Sequence, residues 1–236
     1  WGSADFGQGQ ASQNPYNWVV GGPSYSDPSY TPVTRGLIRT SYNYVLSIAS
    51  QSNITPTDIS SYCGGDIANC TLSASLPHGL YKANGNLTLV GSSYTFPANQ
   101  DYVILVNGDL TFKTEVHVPV GSTAFFTASG NIYVDKSIGV SDYSSTSPNL
   151  EGYYSTDKSF YIQGNNACPT TDLRLNVAGA IVVNAALQGG SFVYQRDLCS
   201  GNLSCPVFSI IERPDFVLNA PSFFKTTRRV WQEVAP

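Results

Sequence analysis

The sequence predicts a mainly β protein: a right-handed parallel β-solenoid of about 22 residues per coil, preceded by an extended aromatic arm and one helix. Three observations carry this reading. First, four segments share a short apolar strand, a glycine and a second apolar stretch: Tyr81–Leu89, Leu105–Phe112, Thr127–Val134 and Asn176–Val183. Second, their glycines (Gly85, Gly108, Gly130 and Gly179) lie 23, 22 and 49 residues apart, and Gly152 divides the long interval into 22 and 27. Third, Leu87/Leu89, Leu110/Phe112, Ile132/Val134 and Ile181/Val183 alternate beyond each glycine, which points one side of each strand inward. A glycine so placed marks a corner of the chain, and coils stack about 4.8 Å apart. The alternative is an antiparallel β-sandwich, whose strands also recur at short intervals. Asn-Gly at 84–85 and 107–108 falls at the repeat corner rather than between paired strands, which favours the solenoid.

Three regions follow in order. Residues 1–33 are rich in Gly, Ser, Pro and aromatics and carry only Asp5 and Asp27 as charges. Pro15, Pro23, Pro28 and Pro32 break regular structure, while Trp1, Phe6, Tyr16 and Trp18 call for burial. The segment reads as an arm packed on its own domain or docked on a second copy. Residues 34–78 hold a helix over 34–50, with Thr34 as its cap and Leu37, Ile38, Tyr42, Val45, Leu46 and Ala49 on one side. An irregular connector follows it. Residues 79–236 form the solenoid, in which the Asn165–Pro169 stretch reads as a loop insertion and Gly201-Asn-Leu203 leaves a further coil open. The charged group Glu212, Arg213, Asp215, Lys225, Arg228, Arg229 and Glu233 is expected to fix a C-terminal cap over the solenoid end.

Composition bounds the function. Of 236 residues 12% are charged, about half the usual share, and the net charge of −4 comes with no cationic cluster. Nucleic acid and anionic membrane are therefore poor partners. The longest apolar run, Val177–Leu187, is too short to span a bilayer. The chain has no methionine and starts at Trp1, so it reads as a processed product whose export signal has been removed. The expected location is extracellular or on the cell surface.

Cysteine usage agrees. Cys63/Cys70 and Cys199/Cys205 bound loops short enough to close as disulfides, each worth about 2–3 kcal/mol. Five cysteines leave one, Cys168, free or paired between chains. Buried thiols are the second reading; metal binding is the third, because the spacings miss the usual zinc knuckles. Asn53, Asn69, Asn86 and Asn202 head N-glycan acceptor triplets.

Late motifs add a resemblance. Asn86-Leu-Thr88, Arg196-Asp-Leu198, Arg213-Pro-Asp215-Phe-Val-Leu218-Asn-Ala-Pro221 and Trp231-Gln-Glu-Val-Ala-Pro236 stand in the order found in uncharacterised exported surface proteins of candidate-phyla ultra-small bacteria. The chain resembles that group over about two-thirds of its length and, more weakly, is similar to bactofilin-like solenoids. The resemblance implies surface display, a β-helix and a natural end at Pro236, but no activity.

No catalytic set stands out, and no cofactor is implied. Many β-helices cleave polysaccharides with carboxylates on adjacent coils, whereas Asp109 has Asn86, Asn131 and Ala180 as its repeat counterparts and reads as a turn residue. Glu115/His117 and Pro77-His78-Gly79 are the best acid–base candidates, with an ordinary polar face as the bland reading. The expected function is that of a structural subunit of a surface filament or layer, self-assembled through its arm and solenoid faces. The alternative is a glycan-binding or glycan-cleaving β-helix using Tyr133, Tyr153, Tyr154 and Tyr161 on one solvent face.

Overall fold

The computed structural model describes residues 40–165, 168 and 171–224, together with the backbone of 4–6 and 24–26. Residues 1–37 and 38–236 form two units. In the first, β1 (Ala4–Phe6) pairs in parallel with β2 (Ser24–Ser26). Trp1, Tyr16 and Trp18 of the expected arm, and the side chain of Phe6, lie outside the described residues.

The second unit is a β-solenoid of about five turns with parallel strands and about 24 residues per coil. It opens with α1 (Tyr42–Gln51), followed by β3 (Thr57–Asp58), β4 (Gly79–Ala83), β5 (Leu87–Thr95), β6 (Asp101–Val106) and β7 (Leu110–His117). Then come β8 (Thr123–Ala128), β9 (Ile132–Val134), β10 (Leu150–Thr156), β11 (Phe160–Ile162) and β12 (Leu175–Val183). The short α2 (Ala185–Gln188), β13 (Phe192–Tyr194), β14 (Phe208–Ile211) and α3 (Asp215–Leu218) complete it.

Pairing sorts the strands into three faces. On the first, β3, β4, β6, β8 and the ends of β10 and β12 stack in order. On the second, the starts of β5 and β7 are followed by β9, β11 and β13. The third carries the ends of β5 and β7, the starts of β10 and β12, and β14. Every strand pair is parallel, which excludes the sandwich.

Coil length is not constant. Stacked partners are 22 residues apart at Asp101↔Thr123, 28 at Phe125↔Tyr153 and 33 at Leu175↔Phe208. Most of the extra residues enter at one corner, between the second and third faces, as loops 135–149, 163–174 and 195–207, and residues 184–191, which hold α2, add a smaller insertion between the first and second faces. Gly201-Asn-Leu203 belongs to a 3-10 turn in the last of these loops and starts no further coil.

The expected glycine corners divide in two. Gly85, Gly108 and Gly130 sit between the first and second faces, where Gly130 N–H donates to Gly108 O at 2.9 Å. Gly152 and Gly179 instead stack on each other between the third and first faces. Equal spacing hid the difference, because a shift from one corner to the next changes the interval by only a few residues.

Inward positions alternate as expected. Leu87, Leu110, Ile132 and Phe160 form one fully buried column, and Leu89, Phe112, Val134 and Ile162 another. Ile181 and Val183 also pack against this core, but from the first face. Outside that face lies a second core: Leu80, Val103, Leu105 and Phe125 are covered by Tyr42, Val45 and Ala49 of α1 and by Phe223. The helix begins at Tyr42 with Ser41 as its cap, the Ser41 hydroxyl accepting the Tyr44 N–H at 3.3 Å. Thr40 and Ser41 are not helical, and Thr34 lies outside the described residues.

The segment read as a connector closes the first coil. Ile59, Cys63, Cys70, Leu72 and Leu76 are buried in the main core, and Cys70 bridges to Leu89. The opposite end differs. The inward columns finish at Phe192 and Ile210, which are 40% and 49% exposed. Among the described residues, the C-terminal segment 212–224 packs elsewhere. Arg213 donates to Val118 O at 3.1 Å and pairs with Glu151 (3.2 Å) and Asp215 (2.7 Å). Thr123 holds Phe216 O at 3.3 Å. The segment is thus pinned to the flank of the middle coils; Lys225, Arg228, Arg229 and Glu233 lie outside the described residues.

Candidate functional site

The polar residues at the corner between the first and second faces form a ladder that fixes the coils. Asn86 Oδ1 accepts the Asp109 N–H (2.9 Å), Asp109 Oδ1 the Asn131 N–H (2.7 Å) and Asn131 Oδ1 the Ser159 N–H (3.1 Å). Ser159 Oγ then accepts the Ser191 N–H at 3.0 Å. Each side chain satisfies a backbone donor that the turn would strand. Asp109 is thereby spent on structure, as its turn position suggests.

The corner with the inserted loops is organised by Arg196. Its guanidinium, buried to 3% exposure, donates to four carbonyls: Gln163, Ile138, Leu173 and Asp135, at 2.6–3.0 Å. Burial lowers its pKa to about 10, against the opposing pull of Asp172 and Asp135. The Arg196-Asp-Leu198 motif therefore ties loops together. Beside it the structure corrects the cysteine pairing. Cys63 joins Cys70, but Cys199 joins Cys168, and Cys205 is free. Loop stacking brings Cys168 and Cys199 together across 31 residues, a proximity that sequence spacing does not reveal. Asp197 lies within ligand distance of this pair, but both sulfurs are spent in the bond.

The aromatic set proposed for glycans is dispersed. Tyr133 and Tyr161 stack on the second face, centroids 5.0 Å apart and planes 11° from parallel. Tyr153 lies on the first face against Phe125 and Phe216, and Tyr154 is fully buried in the main core. Inward and outward positions alternate along a strand, so Tyr153 and Tyr154 could not share a face. Of the acid–base pair, His117 Nε2 lies 3.5 Å from Glu115, whose Oε1 also accepts from Asn149 Nδ2 at 2.8 Å. Asn53, Asn69, Asn86 and Asn202 are all exposed. The Asn202 amide already donates to Asp197 (2.6 Å) and that of Asn69 to Asp66 (3.1 Å).

His78 has a different setting. A cleft of about 580 Å³ opens beside the first face, between the end of α1 and residues 218–223. His78 precedes Gly79 and Asp101 precedes Tyr102, and Gly79 pairs with Tyr102, so His78 and Asp101 lie on neighbouring coils at the cleft wall. Their separation of 23 residues, equal to the first glycine interval, was the available signal. Asn99, Gln100, Asn219 and Ser222 add polar groups, and Ile54, Leu80, Val103 and Phe223 supply apolar surface.

Among the described residues, no helix is long and apolar enough to cross a membrane. The two disulfides are consistent with a secreted or extracellular protein. Compared with protein-family models, curated proteins and solved structures, the chain finds no match in any of the three.

Proposed function

We propose that this chain is an extracellular structural protein, a self-associating subunit of a surface filament or layer. The observation that supports the reading is the difference between the two solenoid ends. The first coil is covered by the disulfide-closed segment around Ile59 and Leu72. Among the described residues, the last coil ends in three parallel strand edges: 179–183, β13 and β14. None of these twelve positions is charged, and Phe192 and Ile210 are half-open to solvent. Exposed edges are ordinarily blunted by charge or proline, and here neither stands in the strands. A second copy offers the same uncharged edge.

Because the other end is covered, end-to-end stacking joins two copies and stops. Extension to a filament or layer then falls to the aromatic arm, as the sequence suggests. The resemblance to exported surface proteins points the same way. Light scattering over a dilution series, with negative-stain electron microscopy, tests the reading. Ordered polymers are expected for the native protein. Ile210→Lys should lower the mass without loss of fold, and Trp18→Ala should leave pairs that do not extend. A native protein that is monomeric at every concentration overturns the proposal.

A further inference from the structure

We propose that the cleft beside the first face is a binding site for a short neutral saccharide. Its polar wall is built by the fold rather than by a mobile loop. Gln100 N–H donates to Ser122 Oγ (3.3 Å), and Tyr102 OH donates to Gln100 Oε1 (2.5 Å), which fix the turn that carries Asp101. The facing wall, 218–223, is anchored through Thr123 and Phe216 O at 3.3 Å and through Arg213.

Three groups at the wall keep their hydrogen-bonding capacity: the side chains of His78, Asp101 and Asn219 make no hydrogen bond among the described residues. A carboxylate accepts, an amide both donates and accepts, and an imidazole does either. Together they match the paired hydroxyls of a sugar. Ile54, half-buried, and Leu218, 75% exposed, provide apolar surface for the C–H face of a pyranose, over the buried Leu80, Val103 and Phe223. The volume lies within the range of small-molecule sites, roughly 300–1,000 Å³. Among the described residues no Lys or Arg lines the cleft, so phosphate, sulfate and acidic sugars find no counter-charge there. The row of polar side chains opposes a purely apolar ligand. The site lies against the early coils, at β4 and β6, and does not depend on self-association.

The test is saturation-transfer NMR and titration calorimetry on the intact protein with maltotriose, cellotriose and chitotriose, and with putrescine as a cationic control. At least one saccharide is expected to bind. Asp101→Ala and Asn219→Ala should each weaken it tenfold or more at unchanged melting temperature, while Tyr161→Ala leaves it intact. Absence of binding by all three saccharides overturns the proposal. So does affinity that survives both cleft variants, loss on Tyr161→Ala alone, or a preference for putrescine over every sugar.

Discussion

Tyr42 donates its backbone N–H to Asp157 Oδ2 at 3.2 Å, across 115 residues of chain. The other carboxylate oxygen accepts from Asn184 Nδ2 at 3.0 Å. Around them, Thr127 and Ser155 both donate to Thr40 O, and Thr40 Oγ1 donates to Asn184 Oδ1. A buried polar cluster thus sets where α1 starts, and α1 in turn covers the first face.

Burial raises the Asp157 carboxyl above its ordinary 3.8, against the opposing hydrogen bonds from Asn184 and Tyr42. A raised native value means that the folded state holds the proton more tightly. The associated stability is complete below about pH 3.8 and is lost as pH rises through the native value. Asp157→Asn removes this dependence but turns an NH2 toward one of the two donors, costing about 1–3 kcal/mol. Urea unfolding between pH 3 and 7 should show the gap between wild type and variant narrowing as pH rises.

Arg196→Lys is expected to destabilise by about 3 kcal/mol. An ammonium cannot reproduce the planar fork that reaches the carbonyls of Gln163, Ile138, Leu173 and Asp135. Limited proteolysis should show earlier cleavage within 135–149 than in wild type, with the strand cores still protected.

Alkylation of the denatured, unreduced protein followed by mass spectrometry should label Cys205 alone. Peptide mapping should then recover Cys63–Cys70 and Cys168–Cys199. By loop closure, removing the first bond costs about 2.5 kcal/mol and the second about 3.7 kcal/mol. A Cys199–Cys205 peptide would contradict the stacked-loop arrangement.

At Gly179, φ is +134° and an added Cβ would lie 2.0 Å from Gly152 O. Gly179→Ala should therefore abolish folding or cost more than about 3 kcal/mol. Gly189, at φ +70° with open space around it, is the comparison: its alanine variant should cost about 1 kcal/mol. Thermal unfolding separates the two outcomes.

The parallel solenoid was legible because a two-residue alternation and a near-constant glycine interval are both local signals. Which corner a glycine occupies was not legible, since Gly130 and Gly152 differ in place though not in spacing. The second core was signalled by Tyr102–Val106 and Thr123–Ala128, runs whose every residue is buried. An unbroken apolar run marks a strand covered on both sides, and that reading would have placed the helix. The Cys168–Cys199 bond depends on how loops stack, which no spacing encodes. His78 and Asp101 carried a periodic signal, but one pair among many at that interval does not identify a cleft.

All three long loops leave from the same corner, and each returns to the third face through one polar rail: Asn149 Oδ1 accepts the Asn176 N–H at 3.1 Å, and Ser209 Oγ donates to Asn176 Oδ1 at 2.6 Å. The rail lets a loop lengthen without shifting the register of any face. This makes one edge of the molecule a natural graft point: a foreign peptide spliced into 135–149 would be displayed in a column with its neighbours, while the stacked strands on either side hold their pairing.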